Sequence, residues 1–248
     1  MKDPVTPLVA AMLAIAAASF PPAYAGGATA RGDSASPPIV VELFTSQGCS
    51  SCPAADKVLG ELKGRPDVLP LSFHVTYWDR LGWPDTFGLE ASTERQRTYA
   101  DLLDQGGLYT PQMVIGGRVD VVGSQRRRVR EAIDLLAAHR QPGLPIAIED
   151  SLLKLGAGPS DEATIWLFGV DRVHDVWIQR GENRGRVVRY HNVVREVTRL
   201  GDWTGEALEL ALPLQRLADE GRDGAAVVVQ HPRTGEILAA SQIDLRPR

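Results

Sequence analysis

The sequence predicts an α/β domain followed by a mostly β region. Three observations carry this prediction. Apolar strand runs alternate with helical patterns between residues 38 and 141, and shorter β-branched or alternating runs, divided by turn residues, fill 142–248. The only two cysteines, Cys49 and Cys52, sit together at one strand-to-helix junction. Alternating strands and helices imply a sheet with helices on its faces, whereas several short strands at close spacing imply a sandwich or barrel.

Residues 8–19 are apolar or small, follow Lys2, and lead to Ala23-Tyr24-Ala25. This is the layout of a secretory signal spanning 1–25 with an A-x-A cleavage site. Its apolar core is shorter than the roughly 20 residues a permanent span needs. Cleavage after Ala25 removes one Lys and one Asp, so the formal charge of the remainder stays at −4. Residues 26–37 are rich in Gly, Ala, Ser and Pro and read as a flexible leader. An exported chain with a single cysteine pair is expected in the periplasm or outside the cell, with the pair resting as a disulfide.

The first strand is 39–44, a continuous apolar run interrupted by Glu42. A helix follows from Cys52 to about Lys63, with Gly64 as its stop signal. Residues 68–76 alternate: Leu69, Leu71, Phe73 and Val75 on one side, Ser72, His74 and Thr76 on the other, a half-buried strand. Residues 77–87 carry Trp78, Trp83, Asp79 and Asp85 and read as a loop, with the two acids as caps or turn residues. A polar helix at 89–105 ends at Gly106-Gly107, and a Gly116-Gly117 turn joins strands at 112–115 and 118–122. A helix from about Ser124 to His139 completes the order β-α-β-α-β-β-α. Beyond a boundary near 142, strands are expected at 146–148, 164–170, 173–179, 186–197, 225–230 and 237–243, with one helix at 212–219.

Cys49-Ser50-Ser51-Cys52 at the mouth of a helix is a redox arrangement. The helix dipole and free amides favour a thiolate at the first cysteine, by about 0.3–1 kcal/mol and up to roughly 2 when partly buried. No Lys, Arg or His lies between Thr45 and Asp56 to add to this, so a moderately reactive thiol is expected. Cys49 would be the nucleophile at an exposed helix mouth, and Cys52, one turn in, would resolve the mixed disulfide. Ser50 and Ser51 are expected to cap the helix rather than to bond a sulfur. Two other readings stay open: an inert staple, for which so short a loop gives little stabilisation, and a copper or zinc site completed by His74, although two thiolates alone complete no tetrahedral site. No resident metal and no organic cofactor is implied.

Tyr77, Trp78, Trp83 and Phe87 form either a substrate lip beside the cysteines or a satellite apolar cluster. Arg180, Arg184, Arg186, Arg189, His191 and Arg195 surround a Gly181–Gly185 turn and could meet an anionic partner, though a salt-laced hairpin is the simpler reading. No basic excess marks a nucleic-acid binder, no second apolar stretch reaches membrane length, and no Ser/His/Asp or paired-carboxylate pattern supports hydrolysis.

The order of elements, with Thr110-Pro111 entering a β-hairpin after the CxxC helix, resembles the thioredoxin superfamily. Residues 44–53 (FTSQGCSSCP), Tyr77-Trp78-Asp79, Tyr109-Thr110-Pro111-Gln112, Gly181-Glu182-Asn183-Arg184-Gly185 and Tyr190-His191-Asn192 narrow the resemblance to exported bacterial thioredoxin-like proteins without an assigned role. The resemblance implies a cis bond at Pro111 facing the cysteines, with Thr110 and Pro111 docking a substrate segment and Tyr77 and Trp78 beside them. The cysteine pair itself, with Pro111 as docking element, points to thiol–disulfide exchange with a protein or small-molecule thiol. The alternatives are a binding or assembly module with an idle disulfide, or a copper or zinc carrier. Two positions depart from thioredoxin. Leu43 stands where the buried acid would be, with Glu42 on the opposite strand face, and Gly48 replaces the Trp before the first cysteine.

Overall fold

A computed structural model of the protein describes residues 1, 37–139, 143–159 and 162–246. The expected signal and almost all of the leader lie outside these residues, as does the boundary near 142. No described helix is long and apolar enough to cross a membrane.

The elements run β1 (Ile39–Thr45), α1 (Cys52–Leu62), β2 (Val68–His74), α2 (Glu90–Leu102), β3 (Gln112–Ile115), β4 (Val119–Val122) and α3 (Arg126–Ala138). They continue β5 (Ile146–Glu149), β6 (Leu152–Leu155), β7 (Ala163–Trp177), β8 (Val187–Trp203), β9 (Leu208–Ala211), α4 (Leu214–Asp219), β10 (Gly224–Gln230) and β11 (Ile237–Asp244). The fold is mixed α/β, built on one large mixed sheet in the order β11-β10-β7-β8-β2-β1-β3-β4.

β1 runs parallel to β2 through the α1 crossover and antiparallel to β3. It is buried along its whole length because helices or strands cover both of its faces, which is why its sequence is nearly all apolar. Val41 and Leu43 pack with α1 and α3; Val40 and Phe44 pack on the other face with Tyr99 of α2. Glu42 lies on that second face, where it receives two hydrogen bonds from Arg95 and one from Tyr99. The Gly116-Gly117 turn between β3 and β4 takes positive φ at both residues, the conformation that a tight hairpin asks of its central pair.

The later strands extend the first sheet. Ser72 of β2 pairs in parallel with Val193 of β8, and Asn192, held at φ 48°, donates from Nδ2 to the Pro70 carbonyl at 2.8 Å. The runs expected as two strands at 164–170 and 173–179 form the single strand β7. Register shifts near Trp166 and Val170 let it change facing without breaking. β5, β6 and β9 form a separate three-stranded sheet, and Leu153 and Leu155 share a core with Ile165, Leu167, Val227 and Val229 of the large sheet. β9, which the sequence reading did not assign, is a short strand paired with β6.

The β7–β8 hairpin reaches the cysteine loop. Its outer half runs past α1, and its 178–186 turn returns over the residues that join β1 to α1.

Candidate functional site

The chain leaves β1 at Thr45 and makes two tight turns: Cys49 N–H donates to the Ser46 carbonyl, and Cys52 N–H to the Cys49 carbonyl, each at 3.2 Å. Cys49 and Cys52 form a disulfide with Cα atoms 5.4 Å apart. Cys52 is the first residue of α1 and Pro53 the second, where a missing N–H costs no helical bond. Ser51 occupies the N-cap position without a capping bond, and its hydroxyl instead lies 3.4 Å from Cys49 Sγ. The expected capping role is therefore replaced by a contact with sulfur.

The Thr110–Pro111 bond is cis. Phe44 pairs with Gln112, which sets Pro111 beside Thr45, at the end of β1 from which the cysteine turn departs. Trp78 joins the two sides: its Nε1 donates to Thr110 Oγ1 at 2.8 Å, and its Cβ would stand 3.4 Å from a side chain added at Gly48. Trp78, from the loop after β2, thus packs beside the residue that precedes the first cysteine. Pro111 is buried and Thr110, Tyr77 and Trp78 are half-buried. Tyr77 and Trp78 pack on the core between β1 and α2, whereas Trp83 joins Phe87 and Tyr190 in a separate small cluster.

Neither sulfur-bearing residue is exposed: Cys49 is 1% accessible and Cys52 0%. This corrects the expectation of an open helix mouth, and the 178–186 turn is bonded across the cysteine loop. Asn183, fully buried, donates from Nδ2 to the carbonyls of Gln47 (3.0 Å) and Cys49 (2.7 Å). The Glu182 carboxylate accepts the Ser50 N–H at 3.0 Å, and the hydrogen bonds from Ser50 hold its pKa below the usual carboxylate range. Trp83 closes the side, donating from Nε1 to Gln47 Oε1 at 2.9 Å. The partners from the turn, Asn183 and Glu182, lie 134 and 132 residues from Cys49 and Ser50, so only folding brings them together.

Beneath the disulfide lies a buried polar group that spacing could have revealed. Asp56 follows Cys52 by four residues, so the two share one face of α1. It is 2% accessible, and burial pushes its carboxyl up to about 7 against the opposing pull of His74 and the Thr45 hydroxyl. His74, expected on the polar side of its strand, is fully buried. Its Nδ1 lies 2.8 Å from Asp85 Oδ2, and its ring meets Phe87 and Tyr190 edge-on at 5.2 and 4.8 Å.

Asp85 is more than a turn residue. It also accepts the backbone N–H groups of Gln47 (2.7 Å) and Phe87 (2.8 Å). Burial works to raise its pKa, but the His74 charge and these hydrogen bonds outweigh burial and hold it below the ordinary carboxylate value. Tyr190 is pushed well up by burial and then by Asp56 and Asp85. Among the described residues, no group of three or more His, Cys, Asp or Glu side chains is arranged to hold a metal ion.

The profile of a family described as "Protein of unknown function (DUF1223)" matches residues 40–230. A crystal structure of a protein from Agrobacterium tumefaciens superposes with a TM-score of 0.73 at 31% identity, covering 86% of this chain and 96% of that one. HBP35 of Porphyromonas gingivalis is similar in fold alone, with a TM-score of 0.55 at 12% identity over 84% of this chain and 75% of that one. No curated protein matches the chain.

Proposed function

The chain belongs to the DUF1223 family, and we propose that it is an exported, gated thiol–disulfide exchange protein acting on protein or small-molecule partners through Cys49 and Cys52. The observation that carries this reading is the placement of a disulfide at the N-terminus of α1 beside the cis Thr110–Pro111 bond. The strand order β2-β1-β3-β4, with α1 crossing between β1 and β2, supports a thioredoxin-like N-terminal unit. The apolar stretch and A-x-A site near the N-terminus support export.

In the exchange step the reduced Cys49 thiolate attacks a partner disulfide, one partner sulfur leaves as thiolate, and a mixed disulfide forms. Cys52 then attacks Cys49 Sγ, closing the intramolecular disulfide and releasing the second partner thiolate. The reverse sequence oxidises a dithiol partner, so the chemistry runs in either direction according to the partner's potential. Thr110 and Pro111 would align the partner segment through backbone, since the Pro111 side chain is buried. Tyr77 and Trp78 would line the approach. The 178–186 turn, hydrogen-bonded across the cysteine loop, would have to lift for a partner to reach the buried pair.

That same burial favours a second reading, a binding or assembly module whose disulfide is idle. Trapping in cells with Cys52→Ala distinguishes the two. An exchange protein accumulates mixed disulfides at Cys49, whereas an idle pair accumulates none. The Asn183→Ala variant adds an internal control: loss of its two hydrogen bonds should raise the alkylation rate of reduced Cys49 about tenfold, the equivalent of 1.4 kcal/mol of closure. An unchanged rate would remove the gate from the account.

A further inference from the structure

A groove of about 630 Å³ runs away from the disulfide between α1 and the outer half of β8. Pro53, next to Cys52, forms its near end; Lys57, Gly60 and Glu61 form one wall, and residues 186–189 with His191 form the other. We propose that this groove docks an acidic segment of the partner polypeptide, adjoining the cysteine that Cys49 attacks. The proposal rests on the exchange reading and names the class of partner that the site would select.

Charge carries the argument. Lys57 is exposed and has no hydrogen-bond or ion-pair partner among the described residues. Among the described residues, the Arg186 guanidinium meets only the Asn183 amide oxygen, at 3.1 Å, and Arg180 and Arg184 at the hairpin tip have no carboxylate partner. Of the nearby acids, Glu61 is held by Arg126 at 2.7 Å and Asp175 by Arg189 through two bonds of 2.7 Å, whereas Glu182, bonded to the neutral Ser50 amide, keeps its charge and offsets one arginine of the hairpin tip. In a chain with a net charge of −4, Lys57 and Arg186 thus line this groove with no carboxylate partner among the described residues. His191, whose pKa is lowered first by burial and then by Lys63 and Arg189, adds a hydrogen-bonding ring to the wall.

Shape agrees with an extended segment. Pro53 to Glu61 spans about 12 Å of helix at roughly 1.5 Å per residue. About four residues of extended chain, at roughly 3.3 Å each, cover that length. Gly60 lets the His191 ring pack directly on α1, since a Cβ there would stand 2.5 Å from it, so the two walls meet at that point and close the groove floor. Beyond the groove wall Trp177 (62% accessible) pairs across the hairpin with Val187 (68%), so apolar side chains of the partner find an anchor of the type that dominates interface energetics.

The test compares two disulfide peptides that differ only in a four-residue flank, Asp-rich or Lys-rich, with hydroxyethyl disulfide as a small neutral substrate. Each peptide rate is divided by the same protein's rate with hydroxyethyl disulfide. The wild-type chain should favour the acidic peptide at least tenfold at low salt, with the ratio collapsing toward one at about 1 M salt, where the screening length is about 3 Å. Lys57→Glu, alone and with Arg186→Glu, should abolish or invert the ratio. A wild-type ratio of one, or a ratio that survives both charge reversals, overturns the proposal. Inertness toward all three substrates would instead sink the exchange reading. In that case binding of the acidic peptide with serine in place of cysteine, followed through tryptophan fluorescence, still decides the groove: saturable binding lost in Lys57→Glu supports it, and no binding overturns it.

Discussion

Asp56 binds a proton more tightly in the folded chain than in the unfolded one, since burial lifts its pKa from 3.8 to about 7. Between those values the folded state keeps a proton that the unfolded state has released. The resulting stability is complete below about pH 4 and is lost as pH rises through 7. Asp56→Asn should remove that slope. Relative to wild type, the variant should gain on the order of a few kcal/mol in urea unfolding between pH 4 and pH 8, and a flat difference would show that Asp56 is not the group that titrates. Asp85 acts in the opposite sense: its lowered pKa contributes stability that is present above about pH 4 and lost below it. Of these residues, the sequence exposed the cysteines and Pro111 because their spacing and order are local. His74 and Asp85 were visible as residues but not as a buried pair, since a strand histidine and a loop aspartate meet only after folding. Asp56 was readable in principle, four positions after Cys52 on the buried stripe of a helix.

At the scale of elements, α2 is tied to β1 by a buried ion pair, Arg95 with Glu42, surrounded by the rings of Phe73, Tyr99, Trp166 and Phe168. Removing one partner strands the other charge away from water. Glu42→Ala should therefore lower unfolding stability by about 3–5 kcal/mol, while a loss below 1 kcal/mol would mean that Arg95 finds another way to water. Gly117 takes φ 72°, and a Cβ there would stand 1.8 Å from the Gly235 carbonyl oxygen. Gly117→Ala should accordingly destabilise the β3–β4 hairpin, seen as faster amide exchange across 112–122, and unchanged protection would contradict this close approach. Elements that repeat a local period, such as β1, α1 and the β3–β4 hairpin, were legible in the sequence. β7 was not, because its register shifts change which residues face inward halfway along. β9 was not, because Leu208 and Leu210 alternate over only four residues.

For the whole molecule, the feature with the widest consequence is that the later half of the chain extends the first sheet and then reaches back over the cysteines. Sequence order separates the 178–186 turn from Cys49 by well over a hundred residues, and the β2–β8 pairing, with the bonds from Asn183 and Glu182, brings them together. Composition could therefore indicate a β-rich region without showing what it covers. The arrangement makes access to the disulfide a property of the full chain: the β7–β8 hairpin both bonds across the cysteine loop and supplies half of the cationic groove.

The redox midpoint of the Cys49–Cys52 pair, titrated in the intact protein, tests this account most directly. Gated exchange predicts a value between about −270 and −120 mV, the span of thioredoxin-like exchangers; a value below about −300 mV, in the range of structural disulfides, would contradict it.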